Sequence, residues 1–186
     1  LRLYSINYTL KLFCDRIWVY KGSETMEKPQ DLVKKDKVRV DEQLRKCIIM
    51  LSEKWSDKIR EYELDFQELT IQCDSDLLMQ IWSNLIDNAI KYSPENSTIW
   101  ISGKIDEQFL TVTIKNEGKG ISIDKQQKIF DKFYQCEESH KKQGNGLGLS
   151  IVKHGVGFLG GTLDLVSEIG RGTEITMTFP KKRKTI

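Results

Sequence analysis

Two stretches of this chain decide its fold: NLIDNAIKY at Asn84–Tyr92 and GNGLGLSIV at Gly144–Val152. The first carries apolar residues at helical spacing with amides and a lysine along another stripe, which predicts an amphipathic helix. The second is rich in glycine and leads directly into apolar residues, which predicts a loop followed by the start of a helix. A loop of this kind beside a polar helical stripe is typical of phosphate-binding sites.

The composition predicts a globular protein with one ordinary domain and a short extension, because 39% of the 186 residues are hydrophobic and 30% are charged. A formal net charge of +2 is too small to require a nucleic acid or an anionic membrane as partner. The cysteines are scattered, without a C-x-x-C pair or a histidine at metal-ligand spacing. They argue for a reducing compartment and against structural zinc.

Residues 1–36 are interpreted as an N-terminal segment and a linker. Leu1–Tyr20 has apolar residues at spacings of three and four, which favours a helix, but charges interrupt it too often for a membrane span. Lys21–Asp36 is polar and contains Gly22 and Pro29, which is typical of a linker. Because the chain begins at Leu, we expect a fragment of a longer protein, with any membrane anchor outside it.

From Lys37 to residue 181 the sequence predicts one domain, followed by a short basic tail at residues 182–186. Because several of its strands are joined by tight hairpins, the order of elements favours a mixed sheet covered by helices on one face. The predicted elements are a short strand at Val38 and Val40, a helix with Asp41 as N-cap, a hairpin of Glu61–Phe66 and Thr70–Cys73, a helix capped by Asp74 or Ser75 and ending near Tyr92, strands Thr98–Ile105 and Leu110–Lys115, a short helix near Lys125–Phe130, a helix Leu147–Leu159, and a hairpin of Thr162–Ser167 and Glu174–Phe179.

The central helix carries the first candidate functional residues. Its polar stripe consists of Gln80, Asn84, Asn88 and Lys91, at positions i, i+4, i+8 and i+11. Amide oxygens are neutral ligands for a hard cation, and a lysine offsets anionic oxygens, so the stripe suits a phosphate chain and its magnesium. Without further context, two asparagines on a helix are more often a solvated face.

Three further motifs extend the pattern, each with a simpler alternative. NEGKGI at Asn116–Ile121 follows a strand, where glycines allow a close backbone approach to a ligand, or form a simple turn. IFDKFYQ at Ile129–Gln135 carries Phe130 and Phe133, which pack either under a mobile loop or in the core. GRGT at Gly170–Thr173 begins the last strand, as part of a site or of an ordinary hairpin.

In this order, the motifs resemble the ATP-binding catalytic domain of sensor histidine kinases, in the superfamily shared with gyrase, mismatch-repair ATPases and the heat-shock chaperone ATPase. The resemblance covers Lys37 to about Pro180. It implies a Bergerat-type α/β (α+β) two-layer sandwich, with a mixed, mostly antiparallel five-stranded sheet and about three helices on one face. It also implies ATP and Mg²⁺ as cofactors.

The resemblance implies a role for each matching residue. Asn88 matches the magnesium ligand, Tyr92 the aromatic residue beside the nucleotide, and Asn84 and Lys91 the phosphate contacts that also serve catalysis. The remaining nucleotide contacts fall on the base side and on the glycine-rich loop: Asn116, Gly118, Gly120, Ile121, Thr173, Gly144, Gly146, Leu147, Gly148 and Leu149.

The chain departs from the family at Asn116, where an aspartate usually accepts the adenine amino group. An uncharged acceptor should weaken that hydrogen bond by about 1 kcal/mol.

Asn84 stands where the hydrolytic relatives have a glutamate that activates water. Because an amide cannot accept a proton as a carboxylate does, we expect attack by water to be poorly assisted, which argues against an autonomous ATPase.

The chain lacks a histidine in an acceptor motif such as H-E-x-x-x-P. His140 lies in the polar stretch Lys132–Gln143, which the resemblance implies folds over the nucleotide as a lid, and His154 lies on the helix after the glycine-rich loop. We therefore expect the γ-phosphoryl group to go to a histidine on a dimerisation domain of the same or a partner chain, outside this fragment, with a response regulator downstream. This would be a cytoplasmic domain of a membrane-anchored bacterial protein. A nucleotide-binding regulatory module without kinase activity is the alternative.

Overall fold

The computed structural model describes residues 36–55, 58–135 and 146–181, which lie in one compact unit, Lys34–Ile186. The predicted helix at Leu1–Tyr20, the linker up to residue 35, Gly144, His140 and the tail at 182–186 lie outside the described residues, whereas Asp36, predicted in the linker, begins the first strand. Among the described helices, none is both long enough and apolar enough to cross a membrane.

The described elements alternate along the chain. The strands are β1 (Asp36–Arg39), β2 (Ile59–Asp65), β3 (Thr70–Cys73), β4 (Ser97–Ile105), β5 (Phe109–Asn116), β6 (Thr162–Glu168) and β7 (Gly172–Pro180). The helices are α1 (Val40–Lys54), α2 (Ser75–Tyr92), α3 (Ile123–Gln126) and α4 (Gly148–Phe158), with a 3₁₀ turn at Lys128–Phe130.

The main sheet has five strands in the order β2-β4-β5-β7-β6, and β1 and β3 form a separate antiparallel pair. In the main sheet β2 runs parallel to β4, and the other neighbours are antiparallel. The mixed, mostly antiparallel five-stranded sheet of the predicted two-layer fold is therefore confirmed.

The two faces of this sheet differ in polarity because successive side chains alternate. One face is buried against the helices and carries Ile99, Ile101, Leu110, Val112, Ile114, Ile175, Met177 and Phe179. The opposite face is polar, and it holds a shallow cavity of about 540 Å³ that includes Trp100, Glu63 and Lys115. The Lys115 ammonium lies 5.5 Å from the centre of the Trp100 ring, so the lysine and the ring interact within this cavity.

Helix α2 is the centre of the core. Its predicted apolar stripe is buried, and Trp82 packs edge-on against Phe179 of β7 with ring centres 5.8 Å apart. The Trp82 indole N–H also donates to Gln43 Oε1 of α1 at 3.2 Å. Cys47 of α1 lies in the same core, where burial raises the pKa of its thiol to about 12 and keeps it protonated.

The limits of α2 agree with the sequence prediction. Asp74 caps the helix by accepting a hydrogen bond from the Leu77 N–H at 3.0 Å, and the helix ends at Tyr92, two residues before Pro94. The strands and hairpins after it, and the last helix, also lie within two residues of their predicted limits.

Three predictions in the first half are wrong. Val40, predicted to lie in the first strand, is the first residue of α1. The predicted hairpin of Glu61–Phe66 and Thr70–Cys73 does not form, because β2 pairs with β4 and β3 pairs with β1. Asp41 is not the N-cap of α1, since the helix begins one residue after Arg39. The Asp41 carboxylate instead accepts hydrogen bonds from the Arg39 guanidinium and from the Leu69 N–H. The bond to Leu69 joins α1 to the residue directly before β3.

Candidate functional site

The polar stripe of α2 is oriented by the burial of the opposite stripe. Asn84 and Asn88 are half-buried on the side of the helix that α4 approaches. The Asn84 side-chain N–H₂ donates to the carbonyl of Gln80 at 2.8 Å. This bond uses the amide nitrogen, and the oxygen Oδ1 faces Gly148 at the start of α4.

The start of α4 lies directly beside these amides. A Cβ added to Gly148 would lie 3.1 Å from Asn84 Oδ1 and 3.5 Å from Asn88 Nδ2. Farther along α4, a Cβ on Gly155 would lie 3.2 Å from Ile81 and Leu77 side-chain atoms, so a glycine there allows the two helices to pack closely. The start of α4 therefore lies beside the polar stripe of α2.

The first turn of α4 offers backbone donors to this space. Leu147 is the N-cap and makes no side-chain capping bond, and the Ile151 N–H is bonded to the Leu147 carbonyl at 3.0 Å. The N–H groups of Gly148 and Leu149 stand at the N-terminal end of the helix, where no residue of the helix itself supplies a carbonyl to them. Such an end attracts anions.

Lys91 and Tyr92 close the last turn of α2. Lys91 is only 8% exposed, which is more buried than a lysine on a solvated stripe would be, and its ammonium lies 5.1 Å from the centre of the Tyr92 ring. The Lys91 carbonyl accepts a hydrogen bond from the Lys58 ammonium at 2.6 Å. A cation at this position also interacts favourably with the C-terminal end of the helix dipole.

Asn116 ends β5 and is buried, with 5% of its surface exposed. Its side-chain nitrogen donates to the carbonyl of Ala89 at 3.2 Å and to the Ser93 hydroxyl at 3.1 Å, so it is bound to the end of α2. A Cβ on Gly118 would lie 2.8 Å both from Asn116 Nδ2 and from the Tyr92 carbonyl oxygen. A glycine is therefore required where this loop passes α2.

The rest of the NEGKGI loop is fixed to the β6–β7 hairpin. The Ile121 N–H donates to the Ser167 hydroxyl at 2.9 Å, and the Gly170 N–H donates to the Lys119 carbonyl at 2.9 Å. Gly120 has φ = +72°, and a Cβ there would collide with the Glu168 carbonyl oxygen. A simple turn does not account for these contacts, because the loop is also packed against the β6–β7 hairpin.

Thr173 lies opposite Asn116 in the β5–β7 register. Its hydroxyl lies 2.8 Å from the Ser167 hydroxyl, which in turn donates to the Gly172 carbonyl at 2.9 Å. Gly172 has φ = +89°, and a Cβ on it would collide with the Asn116 carbonyl oxygen. The GRGT motif therefore supports the loop that carries Asn116, whichever of its two predicted roles applies.

The aromatic motif gives a mixed result. Phe133 is 72% exposed and has φ = +65°, so the prediction of two core aromatics is wrong for it. Its N–H donates to the Gly146 carbonyl at 3.0 Å, and a Cβ on Gly146 would lie 2.7 Å from the Phe133 carbonyl carbon. Phe130 is half-buried, with the Lys153 ammonium 5.5 Å from its ring centre.

Sequence reasoning missed residues that hold the site together. Ser93, Ser167 and Gln126 each bond to a segment distant in sequence, and Gln126 donates to the carbonyls of both Ile121 and Ser167 at 2.9 Å. Single serines in helix ends and strands follow no periodic pattern. The one signal for Ser93 was its position directly after the NLIDNAIKY helix.

The described residues fit magnesium only together with a phosphate ligand. Among them there is no group of three or more His, Cys, Asp or Glu residues that could hold a metal ion. The donors beside Gly148 are neutral amides, which suit a hard cation already bound by anionic oxygens. The space that a Gly148 side chain would fill lies between these amides and the end of α4.

Comparison with known proteins agrees with this geometry. Residues 73–183 match the family described as Histidine kinase-, DNA gyrase B-, and HSP90-like ATPase. The sensor histidine kinase WalK of Bacillus subtilis is 37% identical over 122 residues, which are 63% of this chain and 20% of that protein. The chain thus spans about a fifth of the length of this curated relative.

Solved structures show the same fold. The mycobacterial sensor histidine kinase MprB superposes with a TM-score of 0.70 at 27% identity, covering 80% of this chain and 98% of that one. The nucleotide-free catalytic domain of the histidine kinase ThkA superposes with a TM-score of 0.66 at 26% identity, covering 79% of this chain and 95% of that one. The chain therefore belongs to the histidine kinase-, DNA gyrase B- and HSP90-like ATPase family, and it corresponds to the ATP-binding catalytic domain of sensor histidine kinases.

Proposed function

We propose that this domain binds Mg²⁺-ATP between α2 and the first turn of α4 and donates its γ-phosphoryl group to a histidine outside the fragment. The observation that carries the proposal is the position of Gly148 beside Asn84 and Asn88. It brings two neutral amide groups and the helix N–H groups to one small space. Amide groups suit the magnesium ion and helix N–H groups suit the phosphates of a magnesium-bound triphosphate.

Each group of residues has a separate task in this proposal. Asn88 supplies an oxygen ligand to Mg²⁺, which offsets negative charge on the phosphates when it is bound. Asn84, Lys91, Gly146, Leu147, Gly148 and Leu149 contact the phosphates. Asn116, Gly118, Gly120, Ile121, Thr173 and Tyr92 surround the base, and Gly144 completes the loop outside the described residues. Catalysis follows mainly from positioning and charge neutralisation.

The acceptor comes from elsewhere. Asn84 cannot take a proton from water, so nothing at that position assists hydrolysis. We propose that the acceptor histidine lies on a dimerisation domain of the same or a partner chain, with a response regulator downstream. Residues 37–181 form the catalytic domain, 1–36 precede it and 182–186 form a basic tail, and the domain faces the cytoplasm from a membrane-anchored protein.

Calorimetric titration with ATP, in the presence and absence of Mg²⁺, tests the assigned metal ligand. We expect Asn88→Ala to lose the increase in ATP affinity that Mg²⁺ gives to the original chain. Gln72→Ala is the control, because Gln72 is an exposed amide on β3, outside the proposed site. The same Mg²⁺-dependent increase in Asn88→Ala would remove Asn88 as the ligand.

Phosphotransfer is tested separately. The domain is mixed with a histidine-bearing dimerisation hairpin and γ-labelled ATP, and label is expected on the hairpin and not on this chain. Tight ATP binding without transfer to any such hairpin would favour the regulatory module. Rapid release of free phosphate by the domain alone would contradict the role assigned to Asn84.

A further inference from the structure

The surroundings of Asn116 determine which way its amide points. The side-chain nitrogen donates to the Ala89 carbonyl at 3.2 Å and approaches the Ser93 hydroxyl at 3.1 Å. The Ser93 hydroxyl donates its own proton to the same Ala89 carbonyl at 2.7 Å. It therefore faces the amide as an acceptor, and the amide protons are used within the protein.

The opposite orientation of this amide is unfavourable. A backbone carbonyl can only accept, so a rotated amide would place its oxygen against the oxygen of Ala89. Ala89 lies in the last turn of α2, where the carbonyl end of the helix dipole is negative and repels a second oxygen. Asn116 is also 95% buried, so water cannot readily compensate for a lost partner. The carbonyl oxygen Oδ1 is thus the atom left for a ligand.

This orientation has a consequence for base recognition. Adenine carries an amino group at position 6 of the purine, whereas guanine and hypoxanthine carry a carbonyl oxygen there. An oxygen of the protein accepts a hydrogen bond from the amino group and repels the carbonyl. A carboxylate presents an oxygen whichever way it turns, but an amide does so only if its orientation is fixed.

We infer that Ser93 is a specificity-determining positioning residue, which acts with the Ala89 carbonyl to hold the Asn116 amide with its oxygen toward position 6 of a 6-aminopurine. The inference rests on the proposed function, in which Asn116 faces the base. It predicts that a chain with asparagine in place of the aspartate still prefers 6-aminopurines to 6-oxopurines. Ser93 itself contacts the amide and not the nucleotide.

The test compares ADP with IDP, which differ at position 6 and in the protonation of N1, by calorimetric titration of the whole chain. The original chain is expected to bind ADP more tightly. Ser93→Ala removes one of the two partners of Asn116 Nδ2, and we expect the ratio of ADP to IDP affinity to fall on the order of fivefold, as for one neutral hydrogen bond. An unchanged ratio in a folded Ser93→Ala chain would overturn the inference.

Ser97→Ala is the matched control. Ser97 is also buried, and its hydroxyl donates to the Pro94 carbonyl at 2.8 Å, so it resembles Ser93 in burial and bonding without touching Asn116. Its removal should leave the affinity ratio unchanged. A fall in the ratio equal to that of Ser93→Ala would show a general effect of lost packing and would overturn the role of Ser93.

A double-mutant cycle separates positioning from folding. In an Asn116→Asp chain the acceptor no longer depends on orientation, so adding Ser93→Ala should not lower the affinity ratio further. The same fivefold fall in both backgrounds would overturn the inference. Thermal midpoints are recorded for all four chains. If Ser93→Ala does not fold, Ser93→Cys replaces it, because cysteine keeps a weak acceptor of similar size. The affinity ratio of Ser93→Cys is expected to fall less than fivefold, and an unchanged ratio would again overturn the inference.

The original chain distinguishes this inference from the proposed function. Failure to bind either nucleotide would remove the proposed ATP site altogether. Equal affinity for ADP and IDP would overturn the inference and leave ATP binding in place. Selective binding of ADP that depends on Ser93 only when residue 116 is asparagine supports both.

Discussion

The base side and the phosphate side of the proposed site are held in different ways. The base side, which consists of Asn116–Ile121 and the β6–β7 hairpin, is joined by hydrogen bonds such as Ile121 N–H to Ser167 and Gly170 N–H to Lys119. The phosphate side, which consists of Asn84, Asn88 and the first turn of α4, depends on the close approach of two helices.

This difference indicates that the residues of the base side contribute to the stability of the fold as well as to ligand binding. Removing a contact from a base side built from the sheet and its hairpins should weaken the fold as well as the site. The phosphate side offers amides and helix N–H groups at the surface of a completed core, so changes there should affect ligand binding first. Each of the following substitutions can strengthen or contradict this distinction.

The largest effect is expected from Gly172→Ala on the base side. Gly172 has φ = +89° and no room for a Cβ beside the Asn116 carbonyl, so strain and collision together should lower the free energy of unfolding by about 3 kcal/mol. Urea unfolding measures this loss. Gly170→Ala is the control, since Gly170 has φ = +81° but open space around it, and it should lose about 1 kcal/mol. Equal losses would show that the collision is unimportant.

Ser167→Ala should have the next largest effect. It removes the acceptor of the Ile121 N–H and the partner of Thr173, which should cost about 2 kcal/mol of unfolding free energy and weaken ADP binding as well. Ser102→Ala, on the polar face of the sheet, should change neither quantity. Weaker ADP binding with full stability would contradict the link between base side and fold.

Gly148→Ala tests the phosphate side. A methyl group 3.1 Å from Asn84 Oδ1 should lower ATP affinity on the order of tenfold, about 1.4 kcal/mol, while alanine preserves the helix and the unfolding free energy. Gly157→Ala lies in the same helix with no atom within 4 Å, so it should stabilise α4 and leave ATP affinity unchanged. Loss of stability in Gly148→Ala would erase the contrast between the two sides.

The smallest effect is expected from Asp41, which lies outside both sides. The hydrogen bond from the Arg39 guanidinium, opposed by burial and assisted by the hydrogen bond from the Leu69 N–H, lowers the pKa of this carboxyl to about 2. A depressed pKa stabilises the fold above the unfolded pKa of about 4, and this stabilisation is lost as the pH falls toward 2. We expect about 1 kcal/mol, because Arg39 is partly exposed.

The contribution of Asp41 is measured by comparing the unfolding free energy of Asp41→Asn with that of the original chain at several pH values. Its deficit in unfolding free energy relative to the original chain should be present at pH 7 and disappear between pH 4 and pH 2, with unchanged ADP affinity at neutral pH. A deficit that persists at pH 2 would mean that the charge is not its cause.

Much of the fold could be predicted because its signals are local. The apolar spacing in Ser75–Tyr92 and the Asp74 cap define α2, and turn residues between alternating runs define the β4–β5 and β6–β7 hairpins. The pairing of β2 was missed because its partner, β4, begins more than thirty residues later and runs parallel to it. Adjacent strands in sequence were assumed to pair, and the sheet overrode that local preference.

In the candidate site, too, the residues with local signals could be predicted and those with distant contacts could not. Its motifs could be placed on α2, α4 and the loops because glycines and amides recur in a specific order. Ser93 and Ser167 could not be found, because each acts on residues 23 or 46 positions away in the chain. Hydroxyl groups at such contacts carry no periodicity, so only the packed chain identifies their partners.

The tryptophan on α2 has a consequence for motion. Trp82 joins the helix that carries Asn84 and Asn88 to β7 through Phe179 and to α1 through Gln43. The backbone amides of these asparagines should therefore exchange with solvent almost as slowly as those of the sheet, because opening their helix means opening the whole domain. A substitution that loosens the packing around Trp82 should therefore also weaken the binding of a ligand at the proposed site on the same helix.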